Sequence, residues 1–555
     1  VSVFMQLQEN HLLFMHNGRP FDKDDVDSIC SIGSSTKRNS KEKIGYKGIG
    51  FKSVFTGSDT VIVNSGNFSF AFDKYSPLYN NADIESIPWQ LKPIWQEKYR
   101  YPKEVRDNEY FWKAPVGISL NIDSDKVEYY DSSIRKILSN PLFLLFLKNV
   151  SLFRFNCKAT ELKIAKDEDD NVIHIKENDK IISSWIKTDY VIEIPLDIHN
   201  AMQNDRNVPQ KMKEATKTQI SFAANITDEG IKQIDNSVLY AYLPTTVNDF
   251  KFNFIVNADF LLAANREQLH TKKTWNRFLF QQIGKLLVEW GKSISAFSST
   301  YLNVFPTKEL PEEETGHLAL SSYFNSAYKS ALESEAFVLN HKSELARQDE
   351  IVVDKTCLSE IIGADLFCQL LDTKKCLPSK NIDSKIWEED IFANVESLEF
   401  DDVVKAITDN EIFNDWFITA TDEQKLTLYK WIIDNNNATS RKNEINSFVT
   451  NLPLFQFGEE YKSCGGIEAS NLIITTEQIL PIRDILSKLG FVCSNKVFDE
   501  NHPLYEFIKP QDDEKLFNTI KECDFSKLTN DERKTLFFAL ADFDGVGEAK
   551  LKAIS

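Results

Sequence analysis

The chain has 555 residues, 42% of them hydrophobic, and a formal net charge of −19 at pH 7. This length is enough for about three or four domains with cores of their own, which excludes a small scaffold held together only by disulfides or metals. The negative charge argues against nucleic acid as the default partner, unless basic residues are strongly clustered.

The eight cysteines are scattered, without a CxxC pair or a Cys/His spacing typical of a metal site. Scattered free thiols are typical of a reducing compartment, so we predict a cytoplasmic protein. We expect no membrane span, because no apolar run approaches the roughly 20 residues that one needs. The chain opens with "VSVFMQLQEN", which has neither an initiator methionine nor a signal peptide, so we expect a piece of a longer protein.

Strands and helices are predicted to alternate through the first two regions. Region 1–165 has strand-like runs such as "HLLFMHN", "TVIVNSGNFSFAFD" and "VGISLNI", with a long apolar-faced helix in "DSSIRKILSNPLFLLFLKN". Region 166–300 has further strands such as "TQISFAANI" and closes with the helical pattern "TWNRFLFQQIGKLLVEWGKSISAF". Region 301–555 is predicted to be mainly helical, as in "DEQKLTLYKWIIDN". The fold class expected from these patterns is α+β.

The run "KIGYKGIGFKSVF", residues 43–55, raises the question of a phosphate-binding loop. Phe51 separates Gly50 from Lys52 and Ser53, which breaks the register of a Walker A loop. A dinucleotide-binding fingerprint would need a third glycine where Ser53 stands. What remains is a glycine loop that leads into a helix, where backbone N–H groups can approach an anion. The run by itself fits either an anion site or a merely tight loop.

The sequence upstream of this run favours a nucleotide site. Residues 14–55 read "FMHNGRPFDKDDVDSICSIGSSTKRNSKEKIGYKGIGFKSVF", an ordered series of separately spaced boxes. This order resembles the GHKL nucleotide-binding fold of DNA gyrase, the large heat-shock chaperones, histidine kinases and MutL. The motifs "HNGxPF", "IGxSxK" and "GYKGIGFKSVF" are most similar to those of the sacsin-like and NO VEIN-like branches. The resemblance covers about residues 10–75.

The resemblance implies a Bergerat-type α/β sandwich that binds ATP with Mg²⁺ in region 1–165, followed by a transducer-like middle domain and a helical region. The residues that it places at the nucleotide are His16, Asn17, Gly18, Ser34, Ser35, Thr36, Lys37, Gly45, Tyr46, Lys47, Gly48, Ile49, Gly50, Phe51, Lys52 and Ser53. Lys52 is open to a second interpretation as an ordinary solvated lysine. The basic stretch "KRNSKEK" is open to the same alternative.

A second stretch, "YLPTTVNDFKFNFIVNADFLLAANREQLHTKKTWN", resembles the middle domain of the chaperone and sacsin-like proteins. By that resemblance, Arg266 reaches the terminal phosphate, where a guanidinium stabilises charge on the transferred phosphoryl group. The alternative is that Arg266 and Glu267 form an exposed ion pair.

Two departures from the family pattern bear on the chemistry. The family aspartate that accepts a hydrogen bond from the adenine amino group falls on His16, and the last glycine of that box falls on Pro20. The catalytic glutamate and the magnesium-binding asparagine of the family lie on a helix for which there is no room before His11. Glu9 and Asn10 are a poor substitute, because strand-like sequence surrounds them. The general base is therefore expected outside this chain, or the site binds without turnover.

The resulting hypothesis is an ATP-binding, ATP-hydrolysing switch or clamp of a larger sacsin-like protein, with chaperone-like or antiviral work among the roles of its relatives. ATP-dependent closure in the family implies a homodimer or larger assembly and a protein client. Two alternatives stay open, a nucleotide-sensing scaffold without turnover and a DNA-processing clamp like MORC or MutL. Acidic pairs such as Asp24-Asp25 and Asp401-Asp402 are predicted to be helix caps rather than catalytic groups.

Overall fold

The structure is a computed structural model. It describes residues 1–31, 51–79, 87–95, 100–158, 160–169, 171–205, 208–263, 268–371, 374–436, 442–464, 467, 471–499, 502–507 and 512–552. The chain divides into two compact units. Unit 1 comprises Val1–Phe337 and Asn381–Ala393, and unit 2 comprises Val338–Lys380 and Asn394–Ser555.

Unit 1 is built on one mixed sheet, whose fifteen strands lie within the described residues. The strands are β1 (Ser2–Gln8), β2 (His11–His16), β3 (Thr60–Ser65), β4 (Phe68–Asp73), β5 (Ile94–Trp95), β6 (Val116–Asn121), β7 (Leu152–Cys157), β8 (Thr160–Asp169), β9 (Val172–Glu177), β10 (Lys180–Glu193), β11 (Lys217–Thr227), β12 (Gly230–Lys232), β13 (Tyr240–Ala241), β14 (Leu243–Pro244) and β15 (Ile255–Ala258). Their order is β14-β13-β15-β11-β10-β9-β8-β7-β1-β2-β6-β3-β4-β5, with β12 paired to β11.

Helices cover this sheet. They are α1 (Lys23–Ile29), α2 (Lys103–Arg106), α3 (Glu109–Lys113), α4 (Val127–Leu138), α5 (Leu196–Gln203), α6 (Gln210–Glu214), α7 (Thr274–Ile294) and α8 (Ser321–Ser334). Because side chains alternate along a strand, β2 divides its residues between two packed faces. Leu13 and Met15 join a cluster with Val105 and Phe111 from α2 and α3, whereas Leu12 joins a cluster that contains Ile134 of α4.

Helix α7 is the longest helix of unit 1, and close approaches at two glycines set its packing. A Cβ at Gly284 would lie 2.6 Å from the backbone oxygen of Phe324 in α8. A Cβ at Gly291 would lie 2.2 Å from Cζ of Phe305, whose side chain is fully buried. Residues with any larger side chain would hold these elements further apart, so both positions need glycine.

Unit 2 combines helices with short strand pairs. Its helices are α9 (Leu358–Ile362), α10 (Ala364–Leu370), α11 (Phe400–Ile407), α12 (Glu411–Thr419), α13 (Asp422–Asn436), α14 (Lys442–Asn451), α15 (Arg483–Lys488), α16 (Asp513–Ile520), α17 (Asn530–Ala541) and α18 (Glu548–Leu551). The strands are β16 (Val338–Leu339), β17 (Leu345–Ala346), β18 (Val352–Asp354), β19 (Glu396–Leu398), β20 (Phe455–Phe457), β21 (Glu460–Lys462), β22 (Leu472–Thr476) and β23 (Val492–Phe498). The pairs β18/β19 and β22/β23 are parallel, and β16/β17 and β20/β21 are antiparallel.

The predicted α+β class is confirmed by this mixture of a large sheet and helices. The Bergerat-type sandwich and the regions 1–165, 166–300 and 301–555 stay predictions. Strand β8 contains residue 165, and the sheet continues through it from region 1–165 into region 166–300. In the part of the chain that the structure describes, no helix combines the length and apolar character that a membrane crossing requires.

Candidate functional site

His16 is the last residue of β2, a strand inside the sheet between β1 and β6. The backbone N–H of Gly18 donates a hydrogen bond to Nδ1 of His16 at 3.1 Å, so the chain turns back onto the imidazole ring. A Cβ at Gly18 would lie only 2.9 Å from the same Nδ1. Burial lowers the pKa of His16, which favours the neutral ring. The turn therefore needs glycine at position 18 and uses the histidine as an acceptor.

The loop after His16 is anchored to both neighbouring parts of the sheet. Asn17 accepts a hydrogen bond at Oδ1 from the N–H of Ser2 at 2.7 Å, which ties the loop to the start of β1. The N–H of Phe21 donates to Oγ of Ser65 at 2.8 Å, which ties it to the end of β3. Ser65 is fully buried, and the sequence analysis did not single it out. Its position as a serine in the apolar run "TVIVNSG" is the signal that could have found it.

Helix α1 begins in a capping box. Asp22 Oδ1 accepts from the N–H of Asp25 at 2.9 Å, and a carboxylate oxygen of Asp25 accepts from the N–H of Asp22 at 3.2 Å. Arg19 pairs with both carboxylates at 2.6 Å. The backbone hydrogen bond from Asp25, together with Arg19, holds the pKa of Asp22 below its usual range. The prediction that acidic residues at this helix start act as caps is confirmed for Asp25, and also for Asp402 in α11.

The end of the glycine run forms a 3₁₀ helix over Phe51–Thr56. Phe51 and Phe55 pack in one cluster with Val26 of α1 and Val63 of β3. Lys52 lies half-buried, and its ammonium donates to the carbonyl oxygens of Ile29 and Gln90, the latter at 3.2 Å. Burial lowers the pKa of this amine. Ser53, the next residue of this helix, is exposed.

These segments lie at opposite ends of α1. The loop that leads into the helix starts at His16, while Lys52 holds the carbonyl of its last residue, Ile29. The seven residues of α1 span about 10 Å. The strand register places Phe14, Ile118 and Val63 in one row across β2, β6 and β3. Val63 and Ile118 belong to the cluster that holds Phe51. This cluster therefore lies on the face of β2 that bears Phe14 and, two residues further along, His16. The His16 turn and the Phe51–Thr56 segment thus lie at the two ends of α1, on one face of the sheet.

Glu9 and Asn10 form the turn between β1 and β2, with a positive φ of 52° at Glu9. Asn10 Nδ2 donates to Oδ1 of Asn121 at 2.9 Å. This turn is at the end of β2 opposite to His16, about 17 Å away along the strand. The pair therefore lies between two strands, as the strand-like sequence around it predicted, and at the opposite end of β2 from the His16 turn.

The remaining predicted residues fall outside the described ranges. They are Ser34, Ser35, Thr36, Lys37, Gly45, Tyr46, Lys47, Gly48, Ile49, Gly50 and Arg266. The residues on either side of the Arg266 segment are paired with each other, since Leu262 and Leu269 form an antiparallel bridge. The N–H of Ala263 also donates to the carbonyl of Gln268 at 2.8 Å. All of these assignments stay predictions.

A buried carboxyl group in the middle region was not anticipated from the sequence. Asp259 follows β15, and its Oδ2 accepts a hydrogen bond from Oγ1 of Thr218 at 3.1 Å. Tyr242 also hydrogen-bonds to this carboxyl group and has a left-handed backbone with φ of 64°. Burial raises the pKa of Asp259. It follows β15, which lies between β13 and β11, whereas His16 is on β2 between β1 and β6.

Comparison with known proteins finds two similarities that include this part of the chain. Residues 2–121 match the family model of the Sacsin domain, and this stretch contains β1 to β6 together with the His16 turn and α1. The chain is also similar to the Protein NO VEIN of Arabidopsis thaliana, with 23% identity over 314 residues, or 54% of this chain. The aligned part is 11% of that protein, so the chain spans about a tenth of its length. Both similarities support a sacsin/NO VEIN-like family.

Proposed function

We propose that region 1–165 binds ATP with Mg²⁺ at a GHKL-type site and that the chain acts as a nucleotide-dependent switch or clamp. The observation that carries the proposal is the placement of the His16 turn and the Phe51–Thr56 segment at opposite ends of α1, on one face of the sheet. The Sacsin-domain match over residues 2–121 supports the same assignment. Nucleotide-dependent pairing of two chains, with chaperone-like or antiviral work, belongs to the same proposal.

We assign different residues to the base and to the phosphates of the nucleotide. His16, Asn17 and Gly18 would meet the base, and the backbone N–H groups of Gly45, Gly48 and Gly50 would meet the phosphates. Mg²⁺ would enter with the nucleotide as the counter-charge of its phosphates. Lys52 has a different role, because its ammonium already serves the carbonyls of Ile29 and Gln90. It would position α1 and the glycine loop relative to each other.

A second candidate is a nucleotide-sensing scaffold without turnover. The observation in its favour is that Glu9 and Asn10 lie in the β1–β2 turn, whereas the resembling family carries its catalytic glutamate and magnesium-binding asparagine on a helix. No group of three or more metal-ligating carboxylate, histidine or cysteine side chains is found among the described residues. Both candidates require nucleotide binding, and they differ in phosphate release.

The test is calorimetric titration of the chain with MgATP and MgADP. The variant Gly48→Asp with Gly50→Asp puts two carboxylates against the phosphates and should abolish binding by charge repulsion. The matched control is Gly547→Asp, since Gly547 is exposed with nothing within 4 Å of an added Cβ. Unchanged binding in the double variant, or none in the natural chain, would refute the nucleotide site. Phosphate release measured on the same samples separates the switch that hydrolyses ATP from the scaffold.

A further inference from the structure

The turn after β2 contains the chain's one Asn-Gly pair, Asn17-Gly18. An asparagine amide is attacked most easily by the backbone nitrogen of a following glycine, because no Cβ hinders the approach. The turn also requires this glycine, since a Cβ at position 18 would lie 2.9 Å from Nδ1 of His16. Asn17 is exposed, so water can reach its side chain. The pair is thus an accessible site for conversion of the amide into an acid.

Two hydrogen bonds hold the groups that this conversion needs. The N–H of Gly18 donates to Nδ1 of His16 at 3.1 Å, so it already points at a nitrogen that can accept its proton. Burial lowers the pKa of His16, which keeps the ring neutral and able to act as a base. The N–H of Ser2 donates to Oδ1 of Asn17 at 2.7 Å. This second donor stabilises negative charge on that oxygen when the amide carbon is attacked.

We infer that Asn17 is a site of self-catalysed deamidation in which His16 acts as the general base. Nδ1 of His16 removes the proton of the Gly18 nitrogen while that nitrogen bonds to Cγ of Asn17. The Cγ–Nδ2 bond then breaks, and the proton passes from His16 to Nδ2, which leaves as ammonia. Water opens the resulting succinimide ring to an aspartyl or isoaspartyl residue. The attacking nitrogen and the amide lie in adjacent residues, so the chain itself supplies their proximity.

This inference is independent of the proposed nucleotide site, because the reaction needs only the turn and water. Folding ordinarily slows deamidation, since a fixed backbone reaches the ring-closing geometry less often than a flexible one. A positioned general base has the opposite effect and raises a rate about 100-fold. We therefore expect Asn17 to react faster in the folded chain than in the unfolded chain. The product adds a negative charge to the turn.

The experiment follows conversion of Asn17 at neutral pH in the full chain, both native and unfolded in concentrated urea. Peptides are digested at acidic pH, where the reaction is slow, and the conversion is read by mass spectrometry. The expected result is a rate about 100-fold higher in the native chain. The internal control is Asn236, which is exposed and followed by the small Ser237 and should react more slowly in the native chain than in urea. An equal or slower rate for Asn17 in the native chain would overturn the inference.

Replacing His16 separates the base from the geometry of the turn. In His16→Asn, the side-chain oxygen can still accept the Gly18 N–H, but the amide cannot take up its proton. The rate at Asn17 in the native variant should fall to its rate in urea or below. The control is His199→Asn, at a half-buried histidine in α5, which should leave the rate at Asn17 unchanged. An unchanged rate in native His16→Asn would refute the role of His16. If that variant does not fold, the comparison of the native and unfolded natural chain still decides.

Discussion

Replacing Lys52 with methionine distinguishes a structural lysine from a phosphate-binding one. The ammonium donates to the carbonyl oxygens of Ile29 and Gln90, and it lies 5.7 Å and 5.9 Å from the ring centroids of Phe55 and Phe72. Methionine keeps the apolar stem against these rings and removes only the charged donor. Hydrogen bonds from a charged group contribute about 1.5–3 kcal/mol, and the variant no longer has to bury a charge. We expect a net destabilisation of about 1–2 kcal/mol.

The assay is hydrogen exchange read by mass spectrometry on peptides that cover α1 and Phe51–Thr56. A local loss of about 1.4 kcal/mol raises the exchange rate tenfold when opening limits exchange. Local readout is needed because two compact units need not unfold in one transition. The control is Lys113→Met, whose ammonium pairs with Glu109 at 2.7 Å but whose side chain is 75% exposed. An exposed pair of this kind contributes at most about 1 kcal/mol.

The two interpretations of Lys52 predict opposite patterns. A positioning lysine gives faster exchange in both peptides without any ligand present. A lysine that binds phosphate gives unchanged exchange in the free chain and weaker binding of MgATP. Unchanged protection together with lost binding would refute the placement of its ammonium on the two carbonyls.

Two further changes test the packing and charge of the middle region. Gly291→Ala should speed hydrogen exchange in peptides of α7, because its Cβ would overlap the buried ring of Phe305 by an amount that costs roughly 1–3 kcal/mol. Gly547→Ala, with nothing within 4 Å of its added Cβ, should leave the protection of its own peptide unchanged. An equal effect of the two substitutions would contradict the close approach at α7. Asp259→Asn keeps an oxygen that can accept from Thr218 but cannot ionise. Since burial raises the folded-state pKa of Asp259, the natural chain should lose stability relative to the variant as pH rises from the unfolded-state pKa to the folded-state pKa. Parallel pH profiles in urea titrations would contradict this.

Local patterning made most elements of unit 1 predictable. The alternating run "HLLFMHN" contains β2, and "TWNRFLFQQIGKLLVEWGKSISAF" contains the 21 residues of α7. In unit 2, the short parallel strands β22 and β23 were missed, because five and seven residues separated by a helix leave little periodicity to recognise. The pairing of β1 with β7 also had no local signal, since its partners are about 150 positions apart in the chain.

The order of the motifs that form the site was predictable from the sequence, whereas the hydrogen bonds made by Gly18 and Lys52 were not. The boxes around His16 and the glycine run could be found because they occupy short, recognisable stretches of sequence. The bond from Gly18 to Nδ1 depends on the turn geometry that follows β2, and Lys52 reaches a carbonyl 38 positions away. The first contact is local and the second is tertiary, but both depend on backbone geometry that composition and motif spacing do not specify. They are also the contacts that change the expected chemistry most.

The position of β1 has a mechanical consequence. This first strand lies between β7, to which it is parallel, and β2, to which it is antiparallel, and so joins the two halves of the sheet. A force that pulls the amino end of β1 against the carboxyl end of β7 runs along both strands in opposite directions. All six residue pairs from Ser2/Leu152 to Leu7/Cys157 then bear the load together instead of opening one after another. Tension applied at the beginning of the chain would therefore be transmitted to both halves of the sheet before the strands separate.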